Sequence, residues 1–372
     1  MKARDFFGWA TVFYSLAITV SLAGSGLQQS SAPQRPSYQI VDLNKQKDAG
    51  FFLPARINNQ REIAGTLYYP NQIPEEAYWQ HFALYRHAKV HDLHSLLPDY
   101  LRRSQAIDLN DSGAMILFAE VEEFGGGEFF LYQDGRMISF TNYGDRYLYP
   151  LRISDRGDIV GSGMAPEGTA QPFLLTAEGQ LHFLGLLPGF HDGVAVGSNQ
   201  RQVAIGSMVD YDSADAAVRE RAVILTTNEM TVIPPLPGDD SSLGVAINDA
   251  GLIAAHSGRY GLMTARGVLW DGHNAKVLLL PNDVDSVVVA LNNRGEAVGH
   301  SYSRPGLDIF SGRAFLYSNG QIYDLAELAG SRFGWTIYQA IDINESGEIV
   351  ASGIFEGEQH SILLLPKGKS GR

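Results

Sequence analysis

Hydrophobic and polar positions along this chain fall into one phrase repeated seven times: a short apolar stretch, a polar turn and a second short apolar stretch. It reads INNQREIAG from Ile57, LNDSGAMIL from Leu109, ISDRGDIVG from Ile153, SNQRQVAIG from Ser198, INDAGLIAA from Ile247, LNNRGEAVG from Leu291 and INESGEIVA from Ile343. Between the second residues of these phrases (Asn58, Asn110, Ser154, Asn199, Asn248, Asn292, Asn344) the steps are 52, 44, 45, 49, 44 and 52 residues. A period in the forties is that of a blade array.

The sixth unit shows the elements most plainly. VVVALNN, GEAVGHS and GRAFLYSNGQIYDLAEL are short pieces rich in β-branched and aromatic residues, bounded by Asn, Asp or Gly. They predict four strands, a to d. The a–b turn Asn292 to Gly295 has a side-chain acceptor first and Gly fourth, as a type I turn prefers, and Ser318-Asn319-Gly320 suits a c–d hairpin. Strand c recurs from His81, Glu128, Gln171, Arg221, Arg266, Arg313 and His360.

The last unit ends soon after Ser361 to Leu365 and has no strand d of its own. Tyr38 to Leu43 matches Ile322 to Leu325 in character and precedes the first strand a. The N-terminal segment is therefore expected to supply the outer strand of the final blade, which removes an open sheet edge. The chain is all-β: a seven-bladed β-propeller of four-stranded antiparallel blades over 38–366. An open β-solenoid is the alternative, but its coils are far shorter than forty residues.

An Ile-Asn-Asp-x-Gly-x-Val-Gly phrase, an Ala-Phe-Leu-aromatic phrase (Ala314 to Tyr317) and a strand containing Asp-Leu alternate along the chain. In this the chain resembles the HAF repeat family of bacterial extracellular proteins over about residues 38–366, in pattern more than in letters. No unit spells His-Ala-Phe, the nearest being Arg313-Ala314-Phe315 and the shifted His81-Phe82-Ala83. The resemblance implies export and a repeat fold, and no common chemistry.

Composition changes the picture in three places. Lys2 and Arg4 precede an apolar run from Phe6 to Gly24, followed by a polar linker over 25–37, so residues 1–24 read as a signal peptide or a membrane anchor. Either places the repeats outside the cytoplasm, as a secreted, periplasmic or membrane-anchored protein. The chain has no cysteine, which fits that compartment and removes thiolate metal sites and thiol redox chemistry. The formal charge is −13, or −14 without residues 1–24, because Lys2, Arg4 and Asp5 sum to +1. Nucleic acid and anionic lipid are thus poor partners, membrane contact is confined to an uncleaved N-terminal segment, and residues 367–372 are only a short basic tail.

In an up-and-down blade the a–b and c–d turns lie at one end, and the b–c and d–a connections at the other. Here the first pair is tight and the second long and variable, so diversity collects on one face. Its aromatic and polar groups are candidates for gripping a glycan or a protein: Trp79, Tyr147, Tyr149, Phe190, His191, Tyr260, His300, Tyr302, Arg304 and Trp335. Loop-against-loop packing is the plainer role for many of them. Asp210, Asp212 and Asp215 place alternating carboxylates in one loop, short of a full calcium loop, and Ca2+ is the one cofactor they suggest. Otherwise no cofactor is indicated.

No Gly-x-Ser-x-Gly, His-Glu-x-x-His or phosphate-cradling loop occurs. Carboxylates such as Glu120, Glu122 and Glu123, or Glu356 and Glu358, leave open a carbohydrate-active enzyme. A noncatalytic, monomeric binding propeller is the favoured reading, and a surface adhesion or scaffold role is a third. Finally, the residues before the phrases form a contiguous run around a closed ring, Asp342, Arg56, Asp108 and Arg152, alternating in sign. They are expected to form inter-blade ion pairs, because buried charges need partners; gripping a ligand is the alternative.

Overall fold

A computed structural model of the chain describes residues 35–44, 50–70, 78–121, 126–140, 147–211, 217–259, 264–304, 311–330 and 334–368. The N-terminal segment read as signal or anchor and most of the basic tail lie outside these residues. Among the described residues no helix is long and apolar enough to cross a membrane.

Seven sheets of four antiparallel strands make up the structure, and six of them are consecutive in sequence. The sixth blade runs Asp285–Leu291, Ala297–Tyr302, Arg313–Ser318 and Gln321–Asp324. The last blade takes Thr336–Ile343, Ile349–Phe355 and Glu358–Pro366 from the C-terminus and Tyr38–Asp42 from the N-terminus. Tyr38 pairs with Pro366 and Asp42 with Ile362, so the expected closing strand is present in the expected place. A short helix, Leu325–Ala329, follows the sixth blade and was not foreseen; Asp324 caps it through Oδ1 on the Ala326 amide.

Every blade junction has its own apolar core. Strand b and c side chains of one blade pack on strands a and b of the next, as where Phe82 and Leu84 meet Leu101, Met115 and Leu117. The aromatic residue of strand c is the largest element of several cores, and Phe82, Phe173 and Phe315 are fully buried. Burying one such ring stabilises the fold by about 1.5–3 kcal/mol.

The repeated polar turn ties the blades together at the tight-turn end. Its Asn Oδ1 accepts amides of its own turn, as Asn292 does from Arg294 and Glu296. Its Nδ2 then donates to the carbonyl of the same residue in the next blade. Asn58 reaches Asn110 O (3.2 Å), Asn110 reaches Ser154 O (3.0 Å), Asn199 reaches Asn248 O (3.2 Å) and Asn248 reaches Asn292 O (3.1 Å). Asn292 continues to Asn344 O (3.1 Å), and Asn344 returns to Asn58 O (3.0 Å), across the closure. A second ring runs beside it, from the amide of each following residue to the next side chain, as from Glu345 N to Asn59 Oδ1 (2.8 Å) and Asn59 N to Asp111 Oδ1 (2.8 Å). Both rings are open only between blades 3 and 4, where Ser154 and Gln200 replace the amide and the short acceptor.

The fourth turn position requires a left-handed backbone, which Gly supplies in five turns; Arg61 and Gln202 adopt it at φ 61° and 57°. Both use their side chains to reach the preceding blade, Arg61 to Glu348 and Gln202 to Asp158 (3.3 Å).

Strand a carries a β-bulge in every blade just before the residue that precedes the phrase, as between Pro54 and Arg56 or Val288 and Ala290. The bulge brings the strand a carbonyl so near strand b that a Cβ on Gly299 would sit 2.0 Å from Val287 O. Nothing in the hydrophobic pattern announces this device.

Ser154→Asn is expected to close the inner ring, because Oδ1 can replace Ser154 Oγ on the Asp158 amide (3.1 Å) while Nδ2 reaches Asn199 O. Chemical denaturation should show a gain of about 0.5–1.5 kcal/mol, whereas Asn292→Ala should lose about 1–3 kcal/mol. Equal stability of both variants and the parent would show that the rings contribute nothing.

Candidate functional site

Among the described residues, blades 2 and 3 bring together the most exposed aromatic surface at the long-loop end. Tyr147 and Tyr149 enter strand a of blade 3 (Leu148–Ile153) and are 64% and 54% exposed. Leu148 between them faces the core, so strand alternation turns both tyrosines outward. Tyr149 stands edge-on to Phe129 (5.6 Å), which in turn packs on Phe118 (5.0 Å), and this backing holds the platform without covering it. Tyr100, half exposed, lies near with its hydroxyl toward Glu128 Oε1 (3.4 Å). Such surfaces are flat, apolar and rimmed by hydroxyls, the chemistry that sugars and polypeptides dock on.

Blade 4 holds a second cluster at the same end. Arg219 sits 4.4 Å over the Phe190 ring and donates to Asp210 Oδ2 (2.9 Å), while His191 Nδ1 lies 3.0 Å from Asp210 Oδ1. Both oxygens of Asp210 thus face cationic or donor groups. Asp212 and Asp215 lie outside the described residues, and no group of three His, Asp or Glu among the described residues is arranged to hold a metal.

Trp335 stacks on Phe355 (4.9 Å, 21°) and stands edge-on to His360 (5.3 Å). Beside them a groove of about 380 Å³ is lined by Trp335, Phe355, Ala329, Tyr38, Ile40 and Lys367, along the closing strand. Arg304 is exposed at the end of blade 6. Tyr260 lies outside the described residues, and at Trp79 only the backbone is described.

His300 and Tyr302, expected on this face, are instead buried in strand b of blade 6, at 5% and 3% exposure. They meet edge-on at 5.6 Å; strand b runs through Tyr302, so His300 lies within the strand piece GEAVGHS and Tyr302 one residue beyond it, both short of the loop. Burial, with His256 adding to it, pushes the His300 pKa down to about 4, and its Nδ1 has no partner.

One arrangement escaped the sequence reading although its letters recur. A basic residue of strand c and the Asp that ends strand d clasp one another in three blades: His81 with Asp92 (2.6 Å), Arg313 with Asp324 (3.6 Å) and His360 with Asp42 (3.1 Å). The other oxygen of each Asp caps the turn that follows, as Asp42 does on Asn44 N and Asp92 on His94 N. The Asp-Leu signal therefore marks a cross-strand clasp. In blade 1 it extends through His94, stacked on His81 at 4.1 Å, to Ser104 Oγ (2.7 Å). That series of Asp, His and Ser has the letters of a hydrolase triad but not its role. Ser104 is buried, accepts the Phe82 amide (3.0 Å), and has counterparts in Ser242 and Ser286, which bridge blades in the same way.

On the axis, the charged run is realised in part. Arg56 Nε meets Asp108 Oδ1 at 2.9 Å across blades 1 and 2. Asp342 Oδ2 accepts Ile57 N (2.9 Å) and Asp108 Oδ2 accepts Ile153 N (2.7 Å), so each acid also holds the backbone of the next blade. Arg152 departs from the expected alternation: it donates only to Leu151 O (2.8 Å). Burial and the neighbouring Arg56 push its pKa down to about 10.

No protein-family model matches the chain, and no curated relative matches it. Solved structures do. The β-propeller domain of the Trilobed protease from Pyrococcus furiosus aligns with a TM-score of 0.57 and 10% identity over 86% of this chain and 96% of that one. YCF48 bound to D1 peptide aligns with a TM-score of 0.50 and 10% identity over 92% and 99%. At this identity the likeness shows the fold: the chain is a seven-bladed β-propeller protein. The Pyrococcus domain is described as having an open velcro topology, whereas here the Tyr38–Asp42 strand closes the last blade.

His300 generates a pH prediction. Its folded pKa lies below the unfolded value near 6.5, so the unfolded state binds the extra proton and stability falls as pH drops from about 6.5 toward 4. The loss by pH 5 is on the order of 2 kcal/mol. His300→Phe should flatten that part of the stability profile in denaturant titrations; an unchanged slope would mean that His300 is not its source.

Proposed function

We propose that this chain is an exported, noncatalytic propeller that binds a polypeptide or glycan of the cell envelope or its surroundings through the long-loop end, with the aromatic platform of blades 2 and 3 as its contact centre. The observation that carries the proposal is the exposure of Tyr149 on a strand, fixed from behind by Phe129, with Tyr147 exposed just before that strand. Large exposed rings on a rigid element cost solvation and lose little entropy when covered, which is the signature of a contact site. The peptide-bound YCF48 propeller is consistent with a polypeptide partner. Export rests on the charged and apolar pattern of residues 1–24 and on the resemblance of the repeats to the HAF family.

The catalytic alternative has less behind it. Glu120 of blade 2 lies 3.7 Å from Arg103, Glu122 and Glu123 lie outside the described residues, and Glu356 and Glu358 are exposed at one hairpin tip.

Glycan arrays and capture of envelope proteins by the purified protein test the proposal. Tyr147→Ala and Tyr149→Ala should leave the melting temperature within a few degrees, because neither ring is buried, and should weaken binding at least about tenfold. Undiminished binding in both variants would remove the platform from the function.

A further inference from the structure

Two stacked imidazoles fasten the connection from blade 1 to blade 2. His81 lies on strand c (Tyr78–Arg86) and His94 opens the 3-10 turn His94–Leu96 that follows strand d, and their rings are parallel within 4° at 4.1 Å. Asp92, at the end of strand d, closes one side. Its Oδ2 meets His81 Nδ1 (2.6 Å) and accepts the Tyr69 hydroxyl of strand b (3.0 Å), while its Oδ1 accepts the His94 amide (2.9 Å). Strand a of blade 2 (Leu101–Leu109) closes the other: Ser104 Oγ lies 2.7 Å from His94 Nδ1, and the Leu101 backbone also bonds the ring.

The surroundings of His94 suit its neutral form. Buried Ser104 Oγ accepts the Phe82 amide (3.0 Å), and its one proton points to His94 Nδ1 as acceptor. A proton on that nitrogen sets two donors face to face, and it adds positive charge 4.1 Å from the ring already paired with Asp92. Among the described residues Asp92 is the one carboxylate bonded to the stack, and both its oxygens are engaged. Tyr69 brings no charge, since burial and Asp92 push its hydroxyl up to about 12. Burial and His81 hold the His94 pKa below its ordinary value of about 6.5. A freed His94 therefore takes the proton more readily than a held one, and the hold weakens as pH falls below about 6.5.

The segment held here is the 93–100 connection at the long-loop end. Leu96 and Tyr100 are 47% and 50% exposed, whereas Leu93 and Leu97 sit in or against the core between blades 1 and 2. Tyr100 adds a loose polar tie to blade 2, its hydroxyl 3.4 Å from Glu128 Oε1. A connection with few buried groups opens at a lower cost than the sheets on either side, so the change of one bond and one charge at His94 acts on this segment first.

We propose that the His81–His94 stack is an acid-sensitive latch, in which protonation of His94 breaks its bond to Ser104 and frees the 93–100 connection from blade 2. Tyr100 leaves with it. Partner binding at the aromatic platform, which Tyr100 flanks, then weakens in acid; that consequence rests on the proposed function, and the latch itself does not.

Amide hydrogen exchange of the purified protein, read by mass spectrometry at about pH 7.5 and about pH 5 and corrected for the intrinsic exchange rate, tests the latch. The opening equilibrium of residues 93–101 is expected to rise at least about tenfold on acidification, beyond any rise in strands b and c of blade 5 (Ile253–Arg259 and Thr264–Trp270). His94→Gln should remove that difference, because its amide oxygen can take the Ser104 proton at either pH and it does not titrate. An NMR titration of the His94 ring needs no variant: its midpoint should lie below about 6.5 and coincide with the opening. Equal opening of the segment at the two pH values would overturn the proposal. So would an acid response that survives in His94→Gln, or a His94 ring that titrates while the segment stays closed. These readouts require no partner, so they stand or fall apart from the platform variants Tyr147→Ala and Tyr149→Ala.

Discussion

A propeller has no central core, so something must hold seven separate sheets at one angle around an axis, and here that is the side chain of one asparagine in each of six blades. Its oxygen fixes the local turn and its amide nitrogen fixes the next blade. A residue that satisfies its own turn and its neighbour's carbonyl together cannot be replaced by Asp, which lacks the donor, or by Ser, which lacks the reach. The apolar clusters between blades stabilise the packing, but each is local to one junction. The asparagine rings link every junction but one, and at the point where the two ends of the chain meet they act together with the Tyr38–Asp42 strand, the Asp342–Ile57 amide bond and the apolar cluster around Phe52 and Val350.

The missing link carries information because the other six are alike. Blades 3 and 4 are held by substitutes: Gln202, strained into a left-handed backbone, reaches buried Asp158, and Ser162 Oγ donates to Gly193 O (2.8 Å). At this relaxed junction Ser198, where the other blades carry Ile or Leu, leaves a buried hydroxyl without a partner. Where a repeat departs from its own pattern, either structure has lost something or function has taken it over.

Most of the fold was legible because a blade is specified locally. Strand alternation, Asn and Gly in the turns and the count of strands in the last unit sufficed for blade number, strand order and the origin of the closing strand. The site was less legible, for identifiable reasons. Tyr147 and Tyr149 stood out correctly because they flank a strand start and alternate with a core residue. His300 and Tyr302 did not, because strand b runs through Tyr302 and both side chains lie buried inside the sheet, before the loop begins. The c–d clasp was hidden by its varied letters, since His81, Arg313 and His360 do one job with two residue types. The β-bulge left no trace at all: its residues Ala55, Ile107, Leu151, Val196, Val245, Val289 and Ile341 share only apolar character.

The division between a variable face and a quiet face also takes a different form in three dimensions. Loop variability selects the end where large partners can be accommodated, and the aromatic platform lies there. The same logic would assign nothing to the tight-turn end, because its turns are uniform. Yet uniform turns converge most closely on the axis, and the residues just inside them, Arg56, Asp108, Arg152, Gly197, Ala246, Ala290 and Asp342, are free to differ because the turns beside them do the holding. Seven positions related by near-symmetry and filled with two cations, two acids and three small residues form a chamber with a polar side and an apolar side. The charges of the polar side sum to zero and Arg152 stands in the field of Asp108 and Asp342, so that side answers its own charges.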